Sequence, residues 1–292
     1  MKASAFAYAR ATSVGNALEL LAVHGGKAKV ISGGQSLMPA MNLRLIAPEL
    51  IIDIGEIGEL RGIARRGEML SIGALTRHVD LLKSPEIAVH SPLLTKAVAH
   101  VAHPAIRNRG TIGGNLAHAD PASELPACML ALDATIVVRS QSGERRISAK
   151  DFFKGIYETA LAADELLVAV ELPGASKGAC YFFHEFARRH GDYAIAGLAA
   201  QATVKDGIFT DLRMVFFAVG DRPIWSNAVG KLVNAAITPA LMVDISAALR
   251  EELDPPTDQQ ASSTMRRHLA KVLMTRCVST LLGRPDLDAR AA

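Results

Sequence analysis

Ser32-Gly33-Gly34-Gln35-Ser36-Leu37-Met38-Pro39 and Thr111-Ile112-Gly113-Gly114-Asn115-Leu116-Ala117-His118-Ala119-Asp120-Pro121 are the stretches whose reading decides the fold of this chain. Each sets a glycine pair among small hydroxyl and amide side chains. Glycine permits backbone angles that other residues resist, and it lets a ligand come close to the main chain. Consecutive N–H groups in such a turn converge on a concavity that suits phosphate oxygens, and Ser36 or Thr111 adds a hydroxyl. A diphosphate gripped from two sides by backbone donors needs little net positive charge. A tight turn without a ligand explains one glycine pair taken alone; two pairs, both in an α/β setting, weigh against that explanation. Neither stretch fits GxGxxG or GxxxxGK[ST], which disfavours a Rossmann fingerprint and a Walker loop. Read this way, the residues reach a phosphate-bearing cofactor and go no further.

The first motif follows a helix–strand pair. Val14, Ala17, Leu18 and Leu21 recur at helical spacing after Thr12-Ser13, a capping pair, and Gly25-Gly26 stops the helix. Ala28 to Ile31 reads as a strand running into Ser32, with a turn of helix starting near Pro39 and a second strand over Leu50 to Ile54. Further on, the pattern predicts a strand over Met69 to Gly73, a short helix over Leu75 to Leu82, and a longer one over Leu93 to His103 that Pro104 interrupts. A glycine-rich loop over Gly110 to Asn115 and a helix over Leu125 to Leu132 follow. Thr135 to Arg139 and Leu166 to Leu172 read as strands. After Pro173-Gly174-Ala175-Ser176 the texture changes to three strands, Tyr181 to Ala187, Ile195 to Val204 and Phe209 to Val219. Helical patterns then cover Ile224 to Asn234, Pro239 to Leu249 and Met265 to Leu282. Strands followed by helices indicate an α+β unit, cut from the first near residue 176.

The 292 residues are enough for two domains with sizeable cores. Hydrophobic residues at 50% and charged residues at 21% exclude intrinsic disorder, and aromatics at 5% make the core aliphatic. A net charge of +3 without like-charge runs gives no support to nucleic-acid binding. No apolar run is long enough for a transmembrane segment, and the N-terminus lacks the apolar stretch of a secretion signal, so the expected location is cytoplasmic. Cys128, Cys180 and Cys277 lie far apart, without a CxxC pair. That spacing speaks against a disulfide framework, a zinc ribbon or a cysteine-ligated iron–sulfur cluster in this chain. His100 and His103, at i and i+3, lack the acidic or thiol partners of a metal site, so no metal ligand is assigned. No Ser stands in a GxSxG context, and no catalytic residue is assigned.

The two motifs, in this order, resemble the FAD loops of the medium (flavoprotein) subunit of molybdenum hydroxylases, the family of the carbon monoxide dehydrogenase medium chain and the xanthine dehydrogenase FAD domain. The similarity continues through Arg188-Arg189-His190-Gly191-Asp192-Tyr193-Ala194 and covers essentially the whole chain. It implies an α+β protein: a two-subdomain FAD-binding fold of the p-cresol methylhydroxylase or vanillyl-alcohol oxidase type, then a C-terminal domain of a three-stranded antiparallel sheet and a helix bundle. The implied division is 1–176 for FAD binding (subdomains about 1–56 and 57–176), 177–285 for the C-terminal domain, and a tail over 286–292. On this resemblance Ile31, Ser32, Gly33, Gly34, Gln35 and Ser36 line the diphosphate, and Thr111, Ile112, Gly113, Gly114 and Asn115 grip it from the opposite side. His118 lies beside the flavin loop. Glu124, where relatives usually have Asp, binds a sugar hydroxyl. Val101 and Leu167 (or Leu166) are apolar contacts of the ring system, and Tyr193 lies by the isoalloxazine. Relatives often carry Lys shortly before the Arg pair; here the stretch reads Phe183-His184-Glu185-Phe186, leaving His184 or Arg188 as the replacement cation near the flavin.

The family further implies a small [2Fe–2S] subunit and a large molybdenum-cofactor subunit as partners, assembled as a dimer of heterotrimers, with this chain passing electrons from the clusters through FAD to an external acceptor. The absence of cluster-type cysteines agrees with carriers on another chain. The complex could also lie peripherally on the inner face of the membrane. Two alternatives stand beside this expectation: a self-contained FAD-dependent oxidase or reductase of the same fold, and an assembly subunit that has lost its flavin.

Overall fold

In the computed structural model, residues 2–285 and 287 are described. The chain opens with β1 (Ala7–Arg10), α1 (Val14–His24), β2 (Ala28–Ile31), α2 (Leu37–Asn42) and β3 (Leu50–Asp53). The three strands form a parallel sheet in the order β1-β3-β2, with Val30 opposite Ile52 and Tyr8 opposite Ile51. Leu50, Ile51 and Ile52 are buried because β3 is the central strand and has no solvent face. β1 is mostly exposed at the edge, so it carries no apolar alternation and escapes a sequence reading. Ser13 caps α1 by accepting from the Asn16 amide, as the Thr12-Ser13 pair predicts.

The middle of the chain holds β4 (Ile63–Arg66), β5 (Met69–Gly73), α3 (His78–Lys83), α4 (Pro85–His90), α5 (Pro92–Val98), α6 (Pro104–Arg107), α7 (Ile112–His118), α8 (Glu124–Ala131), β6 (Thr135–Ser140), β7 (Gly143–Ser148), α9 (Ala149–Phe152), β8 (Phe153–Gly155), β9 (Glu158–Thr159) and β10 (Leu166–Pro173). Five of these strands make an antiparallel sheet, β4-β5-β10-β6-β7, and β8 and β9 form a small separate hairpin. β10 is covered on both faces: Leu167, Val170 and Leu172 join the core beneath the helices, while Leu166 and Val168 join the core shared with α1 and β3. This two-sided burial explains the unbroken run Leu166-Leu167-Val168-Ala169-Val170. The edge strands β4 and β7 are nearly all exposed, and their Arg-rich sequences gave no strand signal. Arg145 donates to Glu165 at 2.7 Å, and Arg146 lies 3.2 Å from Glu171.

Two expectations are corrected here. The helix expected over Leu93 to His103 ends at Val98, and Arg107 donates to the freed Val101 and Ala102 carbonyls at 2.8 and 2.7 Å. The glycine-rich segment from Gly110 to Asn115 is a loop only up to Thr111. From Ile112 onward it is α7, with Thr111 as the N-cap.

The last part contains β11 (Ala179–Phe186), β12 (Ala196–Lys205), β13 (Ile208–Phe217), β14 (Ile224–Trp225), α10 (Pro239–Glu252) and α11 (Ser263–Leu282). The antiparallel sheet β11-β12-β13-β14 has four strands, not three. The segment from Ile224 to Asn234 is not the helix its pattern predicts. Ile224 and Trp225 pair with Phe216 and Val215, and a short 3-10 turn follows over Ala228–Leu232. Glu252 at the end of α10 decides this, because its carboxylate accepts from Ser226 Oγ at 2.6 Å and from the Asn227 and Ala228 amides at 2.8 and 3.0 Å. Leu198, Ala200, Met214 and Phe216 face α10 and α11, whereas Ala199, Val215 and Phe217 face the helices of the middle part. The expected tail, 286–292, lies outside the described residues apart from Leu287, which is buried in the C-terminal core. Among the described residues no helix is long and apolar enough to cross a membrane.

Candidate flavin site

The two glycine motifs face each other. Ser32 Oγ and Thr111 Oγ1 lie 3.0 Å apart, and a Cβ built on Gly114 would stand 2.6 Å from Ser32 Oγ and 3.0 Å from Thr111 Oγ1. Gly33 rests on the chain just before the second motif; a Cβ there would be 2.3 Å from the Arg109 carbonyl oxygen and 2.8 Å from Gly110 Cα. A side chain at either position would fill the space between the turns, which is the reason for glycine. Gly34 has φ +71, a left-handed conformation that allows the chain to turn back into α2.

The backbone donors of the two turns differ. Among the described residues, the amides of Gly33, Gly34, Gln35 and Ser36 donate to no protein acceptor, while Gln35 Nε2 braces the turn by donating to the Gly33 carbonyl at 2.9 Å. The Ser36 hydroxyl does not cap α2. In the second motif the donors are already used: Ile112 donates to Thr76 O at 3.0 Å, Gly113 to Ala74 O at 2.9 Å, Gly114 to Thr111 Oγ1 at 3.1 Å and Asn115 to Thr111 O at 3.0 Å. Ile112 is fully buried, so neither its side chain nor its amide is left for a ligand. Gly113 lets α7 lie against Ala74, where a Cβ would come within 2.6 Å of the alanine Cβ. The first turn therefore offers free N–H groups, and the second offers clearance plus the Thr111 hydroxyl. That donor set fits a pyrophosphate, which needs several converging neutral donors.

A second group of side chains stands at the other end of α7. His118 stacks on Tyr157 with ring centroids 4.8 Å apart, and the Tyr157 hydroxyl is 3.5 Å from Asp120 Oδ2. Burial lowers the His118 pKa, and Asp120 opposes that shift. Tyr193 is more than half exposed, yet its phenol is pushed up to about 12 by partial desolvation and by Asp120, Tyr157 and Glu124. Glu124 starts α8, is 8% exposed, and has no side-chain partner among the described residues. Burial and the nearby Glu185 carboxylate push its pKa up to about 8. Asn115 is held by Ser123 through bonds of 2.7 and 3.0 Å. The turn bearing Tyr193 is seated on the middle part, since a Cβ on Gly191 would meet His103 and the Ala102 carbonyl. Val101 and Leu167 are core residues, 5% and 4% exposed, beneath this region, and Ile31 touches Gly34 from below. The sequence reading missed Tyr157 and Asp120. The available signal was Ile156-Tyr157, two large apolar residues at a hairpin tip, 63% and 57% exposed, with Tyr157 at φ +56.

His100 lies 3.4 Å from Glu185, and among the described residues no three His, Cys, Asp or Glu side chains converge as a metal site. Arg188 donates to the Gln259 carbonyl at 2.7 Å, turned toward the C-terminal helices. A groove of about 270 Å³, lined by residues including Glu59, Arg66, Glu144, Arg146 and Glu171, lies away from both motifs. Arg146 there is already paired with Glu144 and Glu171.

A nest of free amides facing a capped glycine turn, with His118, Asp120, Tyr157 and Tyr193 gathered beyond the end of α7, has the donors and the aromatic surface that a nucleotide cofactor requires. Residues 4–175 match the family model described as the FAD binding domain in molybdopterin dehydrogenase, and residues 181–281 match the CO dehydrogenase flavoprotein C-terminal domain. The chain belongs to this family of FAD-binding oxidoreductase subunits. It is 39% identical to the 6-hydroxypseudooxynicotine dehydrogenase complex subunit alpha of Paenarthrobacter nicotinovorans, over 97% of each chain. Among solved structures, a chain of carbon monoxide dehydrogenase from Hydrogenophaga pseudoflava superposes with a TM-score of 0.94 at 34% identity, covering 97% of this chain and 99% of that one. A chain of quinoline 2-oxidoreductase from Pseudomonas putida 86 gives a TM-score of 0.91 at 37% identity, covering 97% and 99%.

Proposed function

We propose that this chain is the FAD-binding electron-transfer subunit of a multi-subunit molybdenum hydroxylase. It would receive electrons from [2Fe–2S] clusters on a small partner subunit, with the molybdenum cofactor on a large one. The observation that carries this reading is the pair of opposed motifs, with four free amides on one side and the Thr111 and Ser32 hydroxyls bridging to the other. Bound FAD supplies the exchange between one-electron and two-electron carriers. The amides of Gly33 to Ser36 would bind the diphosphate, and Thr111 and Ser32 would orient it. Glu124, lacking a side-chain partner, would take a sugar hydroxyl, and Tyr193, His118 and Tyr157 would flank the ring system and exclude water from it. Ile112 and Gly113 serve in this reading by packing α7, while Val101 and Leu167 form the apolar floor.

The division into 1–176 and 177–285 is supported by a core built wholly of residues from Cys180 onward, while the other face of the last sheet packs on the middle part. The p-cresol methylhydroxylase-type description is supported by the parallel β1-β3-β2 unit docked on the antiparallel five-stranded sheet. A cytoplasmic dimer of heterotrimers is the assembly we infer. Co-expression with the neighbouring small and large subunits tests the function: the complex should contain one FAD per copy of this chain, bleached when substrate is added. A flavin-free complex that still turns over substrate would overturn the proposal, and flavin reduction by substrate in the isolated chain would favour a self-contained oxidase.

A further inference from the structure

The two cations that the resemblance offers as neighbours of the flavin are turned toward the C-terminal helices. His184 lies against the Phe182 and Phe186 rings, which pack in the C-terminal core, and Arg188 donates to the Gln259 carbonyl. A third cation, Arg266 in the first turn of α11, is built into the frame of the site instead. It is 3% exposed, and its guanidinium stays charged at any working pH. Nη1 donates to the Ile195 carbonyl at 2.6 Å and to the Ala218 carbonyl at 2.9 Å, and Nη2 donates to Asp258 Oδ2 at 2.7 Å. Nε is buried with no partner among the described residues.

Both carbonyls belong to backbone that carries the site. Ile195 closes the turn between β11 and β12: its amide donates to Phe186 O at 2.6 Å, and Tyr193 stands two residues before it. Ala218 follows β13 with φ +60, and its amide donates to Pro121 O at 2.8 Å. Pro121 adjoins Asp120, whose carboxylate lies 3.5 Å from the Tyr157 hydroxyl. One nitrogen of one side chain therefore joins the turn of Tyr193 to the segment of Asp120 and Tyr157. The carboxylate that aims the guanidinium is itself fixed, because Asp258 Oδ1 accepts from the Gln260 and Ala261 amides at 2.8 and 3.1 Å.

Stability alone does not call for an arginine here. Burying a charge costs desolvation, and apolar side chains of similar volume commonly serve a core as well or better. What an apolar side chain cannot do is hold two carbonyls from different segments in a set geometry, which the planar guanidinium does. We propose that Arg266 is a positioning residue of the flavin site, setting the gap between the Tyr193 turn and the Asp120–Pro121 segment in which the ring system lies. The inference rests on the FAD reading above. Arg266 acts through Tyr193: without the bond to Ile195 the turn is free to shift the phenol, and without Asp258 the guanidinium loses its aim.

The test is the visible circular dichroism of the flavin in the intact complex, a signal set by the arrangement of groups around the ring. Arg266→Lys keeps the charge, but a single ammonium cannot reproduce the fork, so the flavin bands should shift from their wild-type positions. In a Tyr193→Ala background the same lysine substitution should cause no further shift, because the group through which it acts is gone. An unchanged spectrum in Arg266→Lys, or an equal shift with and without Tyr193, overturns the proposal while leaving the FAD assignment standing; a wild-type complex that holds no FAD overturns the assignment itself. Should Arg266→Lys fail to fold, Asp258→Asn decides. Asparagine offers one oxygen where the aspartate uses two, so either the loop amides or Arg266 lose their acceptor. A smaller shift of the same bands, again absent in the Tyr193→Ala background, is expected, and a wild-type spectrum overturns the proposal.

Discussion

The Ser32–Ser36 turn and the Thr111–Asn115 turn have nearly the same composition but put their backbones to opposite uses. In the first, four successive amides have no acceptor among the described residues, and the residues are half-buried. In the second, the corresponding amides bond to Thr76, Ala74 and Thr111, and the residues Thr111, Ile112 and Gly113 are buried. Glycine pairing by itself therefore says that two backbones approach closely, and only the hydrogen-bond ledger tells which of them has donors to give. One turn has donors to offer a ligand; the other supplies the wall beside it.

This contrast is open to direct attack. The largest effect is expected at Gly33, where an added methyl meets the Arg109 carbonyl at 2.3 Å and the free-amide turn has to shift. Gly33→Ala should weaken FAD binding about a hundredfold, corresponding to the ~3 kcal/mol upper end of overpacking costs. Equilibrium dialysis of FAD against the variant checks this, and retention of wild-type affinity would show that the first turn is not the binding element.

Next in size is a pH effect beneath the second turn. His78 donates its amide to Gly110 O and is 3% exposed; burial, joined by the Arg107 charge and opposed by a hydrogen bond to the Thr111 backbone, lowers its pKa from 6.5 to about 4. Between those values the unfolded chain binds a proton that the native state does not, so the His78 contribution is intact above pH 6.5 and is lost as pH falls toward 4. The loss amounts to about 3 kcal/mol. Glu124 works in the opposite sense, since its raised pKa favours the fold at low pH, so the wild type has to be compared with His78→Gln at each pH. The difference in unfolding free energy should shift by that amount in favour of the variant as the solution is acidified. Parallel denaturation curves at every pH would dismiss the idea.

Gly113→Ala should act on stability more than on FAD. Its methyl would press on Ala74 at 2.6 Å, at a cost of about 1–3 kcal/mol, read as a fall in Tm of several degrees. If the variant instead loses FAD at unchanged Tm, the division of labour between the turns is reversed. The smallest effect belongs to Ser32→Ala, which removes the 3.0 Å contact to Thr111 Oγ1. One neutral hydrogen bond is worth about 1 kcal/mol of stability, so Tm should fall by a few degrees, and an unchanged Tm would show that this contact does not tie the two turns together.

How much of this was legible in the sequence varied with burial. α1, β3, β10 and α11 were readable because one face or both are apolar at regular spacing, as in Leu50-Ile51-Ile52 and the Leu166–Val170 run. β1, β4 and β7 were not, since edge strands are held by ladder bonds and carry Arg and Glu outward. The helix expected over Ile224 to Asn234 failed for a different reason: Glu252, remote in sequence, captures Ser226 and two amides. Tyr157 was overlooked because its partners, His118 and Asp120, lie on another segment.

The sequence alone determined where the chain can bend and pack closely, because glycine pairs, caps and apolar periodicity act over a few residues. It also determined the family, since the two motifs and the Arg188–Ala194 stretch stand in a fixed order. Tertiary structure decided which turn keeps its amides free and that His184 lies against Phe182 and Phe186. It also decided that Arg266 bonds the carbonyls of Ile195 and Ala218. Those are properties of groups brought together across the fold, where hydrogen-bond partners, strand register and local charge are set by residues far away along the chain.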